Sequence, residues 1–282
     1  MKTFVRMKLK EIARRPCAGA MLGSVLLSLL TSCEKELDFK YHEIEPLTVI
    51  EGTLTEEGAR VSIAMTTPMG EPMDRTRITD AEVILKDLTA GDVEKLRADE
   101  EGYFVGSSGG KDWHDYSLTV MYGDETWSAE STMLPKTEII SAGFSWIKMP
   151  YDHVAVLQVL YADDPTTKGD SYWIRVYRNG EIYSWSEQQD WTSRDGVMNF
   201  VTMTTRQDVD EEDEEDLLVD GDEVTVNICR ISSGMREYIE AIGNDSNGPM
   251  MFTGTHRCLG YFMASAPTET TVVFHSEDIP YQ

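Results

Sequence analysis

Cysteine and histidine are scarce: four cysteines and five histidines stand in 282 residues. There is no C-x-x-C pair. His42, His114, His153, His256 and His275 are scattered without helical or hairpin metal spacing. The sequence therefore offers no recognisable zinc set, and no cofactor or metal is expected. Positive charge is the next shortage, with 25 basic residues against 50 acidic ones. The first 32 residues hold six of the basic and one of the acidic. Residues 33–282 thus carry 19 against 49, a net charge of −30. Phosphate contacts need Lys and Arg, so nucleic acid is not an expected partner. No apolar run reaches the ~20 residues of a membrane-spanning helix. Internal repeats are absent too.

What is present begins at the N-terminus. Lys2, Arg6, Lys8, Lys10, Arg14 and Arg15 form a basic leader, and Ala18–Leu30 is uncharged and rich in Leu, Ala and Gly. That layout is a secretory signal. It closes on Leu30-Thr31-Ser32-Cys33, an aliphatic residue and two small residues before Cys, which is the lipobox pattern. Residues 1–32 are read as a lipoprotein signal peptide and Cys33 as the site of lipid attachment. Residues 33–45 are read as a charged tether. The acids just after Cys33 resemble the export signal that sends Bacteroidota lipoproteins to the cell surface. Cys229 and Cys258 remain beyond the leader. The exported compartment permits a disulfide between them; two buried free thiols are the alternative, and the sequence leaves both open.

With 41% apolar residues the chain has material for a core. Most of it reads as strand. Val61, Ile63 and Met65 alternate with Ser62 and Ala64, and Ala81, Val83 and Leu85 alternate in the same way, with Glu82 between the first two. Gly123-Asp124 and Asn179-Gly180 are hairpin turns between strand-like runs. Pro135 marks a boundary. The predicted fold class is mainly β: an N-terminal Ig-like or transthyretin-like sandwich over 46–134, then a larger antiparallel β domain over 135–282. One helix is expected near 232–242, capped by Ser232-Ser233, with Met235, Ile239 and Ile242 on one face. Asp208–Asp216, with eight acids in nine residues, reads as a solvated loop.

Two resemblances follow from these residues. Ala81–Val120, an alternating strand followed by Gly-Tyr-Phe and Tyr-x-Leu-x-Val, looks like a carboxypeptidase-regulatory or transthyretin-like sandwich. The lipobox with its following acids, Ile-Glu-Pro-Leu-Thr-Val-Ile-Glu-Gly-Thr-Leu over 44–54, Tyr172–Tyr177 with Arg178-Asn179-Gly180, Asp220-Gly221-Asp222, the capped helix and Leu259-Gly260-Tyr261-Phe262 come in a characteristic order. In that order they resemble Bacteroidota lipoproteins catalogued as domain of unknown function 4249. The resemblance implies an outer-membrane protein facing the cell surface, beside a TonB-dependent receptor. It brings no catalytic residues.

Candidate chemistry is thin. Gly106-Ser107-Ser108-Gly109-Gly110 fits G-x-S-x-G, but lies between predicted strands instead of on a strand-to-helix turn, so it reads as a loop. Six tryptophans, at 113, 127, 146, 173, 185 and 191, read mainly as strand packing. Trp185 and Trp191 flank the polar segment Glu187–Asp190 and are the candidate ligand platform. The expected role is a non-enzymatic binding or accessory subunit. The rival readings are a surface glycan hydrolase and a structural or adhesion module. Changing Cys33 to Ala should abolish palmitate labelling and membrane fractionation; a variant labelled as well as wild type would refute the lipid assignment.

Overall fold

The computed structural model describes residues 45–67, 76–150, 153–206, 217–244, 246 and 248–280. The leader, Cys33, the tether and the run 208–216 lie outside the described residues. In chain order, β1 (Thr48–Thr55), β2 (Gly58–Met65), β3 (Glu82–Asp87), β4 (Val93–Lys95), β5 (Arg97–Ala98), β6 (Phe104–Gly106), β7 (Asp115–Tyr122) and β8 (Glu125–Thr132) come first. They are followed by β9 (Ile139–Lys148), β10 (His153–Ala162), β11 (Ser171–Arg178), β12 (Glu181–Gln189), β13 (Val197–Arg206) and β14 (Glu223–Ile231). Helix α1 (Ser233–Gly243), β15 (Thr253–Gly254), β16 (Leu259–Ala264) and β17 (Thr268–Val273) complete the described elements.

Four sheets result, in the orders β16-β1-β2-β6-β5, β15-β8-β7-β3-β4, β13-β10-β9 and β12-β11-β14-β17. Alternation explains their pairing. Ile50, Leu54, Val61 and Ile63 from the first sheet meet Val83, Leu118, Val120 and Trp127 from the second in one core. Ala155, Leu157, Val159 and Tyr161 meet Ile174, Val176, Val224, Val226 and Ile228 in another. Each core removes one face of two sheets from water, which supplies most of the stability of such layers. The chain is thus mainly β, built as two sandwiches. The turns are those expected: Asn179 and Gly180 both have positive φ, at 50° and 89°, as a type I′ hairpin requires.

The two sandwiches are not successive along the chain. Strand β16, which the sequence places among residues 135–282, pairs in parallel with β1, from Val49 opposite Leu259 to Leu54 opposite Ala264. It carries Phe262 into the first core. Ser265, fully buried, then ties the two halves. Its N–H donates to Leu54 O at 3.0 Å, and its hydroxyl donates to Arg230 O at 2.7 Å. The boundary segment runs beside it, with Ala266 N–H donating to Leu134 O at 2.9 Å and Thr268 Oγ1 to Thr137 O at 2.6 Å.

Helix α1 sits over this junction. Ser232 Oγ accepts from Met235 N–H at 3.2 Å, the expected N-cap. Met235, Tyr238 and Ile239 are buried against Cys229, Ile231 and Met263, so one small cluster joins β14 to β16. Ile242 is 45% exposed, against expectation. Tyr238 takes that place on the buried face, since it lies three residues after Met235. Gly260 is the tightest point of β16. Its φ is +108°, and a Cβ there would lie 1.9 Å from Ile50 O. Gly260→Ala should therefore cost at least about 2 kcal/mol, from a disfavoured φ and a backbone clash. Urea unfolding checks this, and an unchanged midpoint would contradict it.

Candidate functional site

Outward residues of the sheet β12-β11-β14-β17 are unlike an ordinary solvated face. Tyr172, Ile174 and Val176 of β11 point into the core, so Trp173, Arg175 and Tyr177 point out. Register then sets their neighbours. Trp173 stands between Glu187 and Cys229, and Arg175 between Trp185 and Asn227. Asn227 faces Glu269 of β17. One cross-strand row therefore reads Trp185–Arg175–Asn227–Glu269, and the next reads Glu187–Trp173–Cys229.

The first row is hydrogen-bonded from Arg175 to Glu269. Arg175 Nη2 donates to Asn227 Oδ1 at 2.6 Å and to Cys229 Sγ at 3.3 Å. Asn227 Nδ2 donates to Glu269 Oε1 at 2.5 Å. The guanidinium lies over the Trp173 ring, 4.4 Å from its centroid, a cation–π contact that holds it flat. Trp173 in turn meets Tyr261 of β16 edge-on at 6.3 Å. The second row is covered by α1; in the first, Trp185 and Glu269 are exposed, Arg175 is half-buried and Asn227 is buried. Trp185 is 44% exposed, and a Cβ at Gly243, the last residue of α1, would lie 3.4 Å from its ring.

Three polar atoms of these rows are buried without a partner: Trp173 Nε1, Arg175 Nε and Glu187 Oε1. Buried polar groups are nearly always satisfied, so three on one block of adjacent positions is unusual. Burial, and then repulsion from Glu240 on α1, push the Glu187 carboxyl above its ordinary range. A hydrogen bond with Gln189 and the charge of Arg236 oppose this.

The sequence-derived candidates fare unevenly. Trp185 belongs to this face. Trp191 stands alone in the 3₁₀ turn Asp190–Thr192, 78% exposed, and makes no ring contact with Trp185 among the described residues. Cys229 and Cys258 are both free and buried, so the structure contains no bridge between them. Helix α1 and the following loop carry the chain from β14 back to the first sandwich. Cys229 therefore packs in the junction cluster and Cys258 in the first core. Burial pushes the Cys229 thiol up and the Cys258 thiol up to about 11, so neither is a ready nucleophile. Trp127 and Trp146 are core residues whose Nε1–H groups donate to His256 O and Ser276 O. Arg175, Asn227 and Glu269 were not singled out from sequence. Their outward phase is readable from strand alternation, but their adjacency comes from pairing across 52 and 42 residues.

A concavity of about 300 Å³ lies in the first sandwich and is lined by Asp87, Asp92, Glu94, Ser108, Lys111 and Tyr116, among others. Its polar groups serve the fold. Glu94 accepts from Ser107 N–H and Ser108 N–H at 2.9 and 3.1 Å, which pins the Gly106–Gly110 loop. Asp87 accepts from Thr89 N–H and Ala90 N–H and pairs with His114 at 2.8 Å. A Cβ at Gly109 would lie 1.9 Å from Glu56 O, so this loop is a tight crossing and not a nucleophile elbow. No group of three metal-ligating side chains occurs among the described residues.

Glu187 gives the site a pH signature. Its folded value is raised, so the folded state holds the proton more tightly than the unfolded chain. Its contribution therefore opposes folding above the ordinary carboxylate range and vanishes below about pH 4. Glu187→Gln should raise the melting temperature at pH 7, and the gain should fade as the pH drops toward 4. A variant less stable than wild type at pH 7 would contradict the assignment.

Comparison with known proteins adds a family and little else. No curated protein matches the chain. Among solved structures, the chain is similar to a two-fibronectin type-III-domain segment from chicken tenascin. The identity is 12% over 82% of this chain and 100% of that one, with a TM-score of 0.24, too low to bear on the fold. The match that extends over most of the sequence is to the family described as Domain of unknown function (DUF4249), over residues 34–271, and the chain belongs to that family.

Proposed function

We propose that the protein is a lipid-anchored binding or accessory subunit of the outer membrane. Cys33 carries the lipid, the body faces the cell surface, and the partner is a TonB-dependent receptor. The observation that carries the binding part is the row Trp185–Arg175–Asn227–Glu269, in which Arg175, Asn227 and Glu269 hold one another by hydrogen bonds beside the exposed Trp185. A preorganised polar row beside an exposed indole suits recognition, because little side-chain freedom is lost on contact. The same row is poorly arranged for hydrolysis. Glu187 and Glu269, the two carboxylates of these rows, stand three strand spacings apart, about 14 Å at 4.8 Å each. Glycosidases need their pair within ~5–9.5 Å. The lipobox supports a membrane anchor, and an anchor raises the effective concentration of the body near a partner in the same membrane. A net charge of −30 over residues 33–282 repels anionic lipid headgroups and favours a body held off the surface.

A pull-down of the full chain from detergent-solubilised outer membranes tests the reading. Reproducible co-purification of a TonB-dependent receptor, with no turnover of glycans or peptides by the purified protein, is the expected outcome. Hydrolysis abolished by changing one carboxylate would overturn it.

A further inference from the structure

We propose that the row Trp185–Arg175–Asn227–Glu269 binds an uncharged, hydroxyl-rich ring, the chemistry of a neutral glycan unit. The proposal rests on the binding role given above and names the ligand class of that site.

Shape comes first. Trp185 stands mid-strand with 44% of its surface exposed, in a row otherwise made of planar polar groups. Its ring edge lies beside Gly243, at the end of α1. Such an indole offers a flat apolar surface to the C–H face of a sugar ring. Beyond it, the row holds the half-buried Arg175 guanidinium, the buried Asn227 amide that links it to its neighbour, and the exposed Glu269 carboxylate, on three neighbouring strands at ~4.8 Å spacing, a span of roughly 10 Å. That matches the width of one or two sugar rings laid across the strands.

Hydrogen-bond inventory comes second. Arg175 has five N–H donors, and the bonds to Asn227 and Cys229 both start from Nη2. Glu269 receives Asn227 on Oε1. A carboxylate has about four lone-pair sites, so capacity to accept remains. Arg175 Nε–H in the row and Trp173 Nε1–H in the adjacent row are buried with no acceptor. The face therefore keeps unused donors at Arg175 and unused acceptor sites at Glu269. A hydroxyl is both, and a pair of adjacent hydroxyls answers both ends at once.

Charge decides against the rivals. An anionic ligand would meet Arg175, but also Glu269 in the row and Glu187 and Glu240 beside it. A cationic ligand would meet Arg175 at the centre of the row. The neutral ring alone pays no charge penalty at either end. The position also fits access. Helix α1 covers the second row and stops at Gly243, so the first row forms a shelf at the helix end.

The test uses the full-length protein in detergent. Retention is measured on immobilised mannan, xylan, mixed-linkage β-glucan and starch, with polygalacturonate as the acidic counterpart. Wild type should be retained by at least one neutral polysaccharide. Trp185→Ala should weaken that retention tenfold or more, Glu269→Gln should weaken it by a smaller factor, and Trp191→Ala should leave it unchanged. Circular dichroism establishes that each variant is folded. If a variant is not, the same wild-type retention competed by free oligosaccharide, with quenching of tryptophan fluorescence, stands in for it. No retention on any neutral polysaccharide overturns the proposal, as does retention on polygalacturonate alone or equal retention by folded Trp185→Ala. Receptor co-purification is scored on the same preparations. A receptor captured without glycan retention defeats the ligand class and leaves the docking role standing; glycan retention without a receptor does the reverse.

Discussion

The pairing of β16 with β1 is the contact on which the rest of the molecule depends. A sandwich of short strands gains stability only when both inner faces are covered and edges are closed. The first sandwich obtains one of its edge strands from residues 259–264, about two hundred positions after β1. That strand brings Phe262 into the core, and its course is fixed by Gly260, where only hydrogen fits against Ile50 O. Immediately after it, Ser265 is bound to Leu54 on one side and Arg230 on the other. The two cores are thereby clamped at a single buried residue instead of being joined by a free linker.

This clamp also builds the candidate site. Because β16 lies in the first sandwich while β14 lies in the second, the intervening helix α1 must span the two. Its buried face, Met235, Tyr238 and Ile239, rests on both. The helix therefore crosses the outer face of the second sandwich and shields one row of side chains, ending where Trp185 begins. Tyr261, contributed by β16, reaches Trp173 from the other side. Burial and the neighbouring Glu51 raise the Tyr261 hydroxyl, while Arg175 works against them, so the two sandwiches share one electrostatic environment at this point. The flatness of Arg175, and with it the order of the first row, follows from the junction.

Much of the fold was legible because it is local. Alternation in Val61–Met65 and Ala81–Leu85 marked strands, Asn179-Gly180 marked a hairpin, and Ser232 marked the start of α1. The physics behind each signal acts within a few residues. What sequence did not give is pairing over long separations. Nothing local distinguishes β16 as a partner of β1, since a strand reads the same whichever sheet it joins. The same limit applied to the site. Trp185 was singled out because it is aromatic beside a polar segment, and so was Trp191, but only register places Arg175 and Asn227 next to one of them. The sequence left a bridge between Cys229 and Cys258 open, yet the crossing of α1 sends them into different clusters.

Hydrogen exchange of the native protein, followed by mass spectrometry through a guanidinium series, tests the clamp most directly. Amides of β1 belong to the first sandwich and amides of β11 to the second. If β16 and Ser265 bind the sandwiches into one cooperative unit, peptides covering residues 48–55 and 171–178 lose protection together at the same denaturant concentration. Opening of residues 171–178 while 48–55 stay protected, or the reverse, would show two independent units and contradict the clamp.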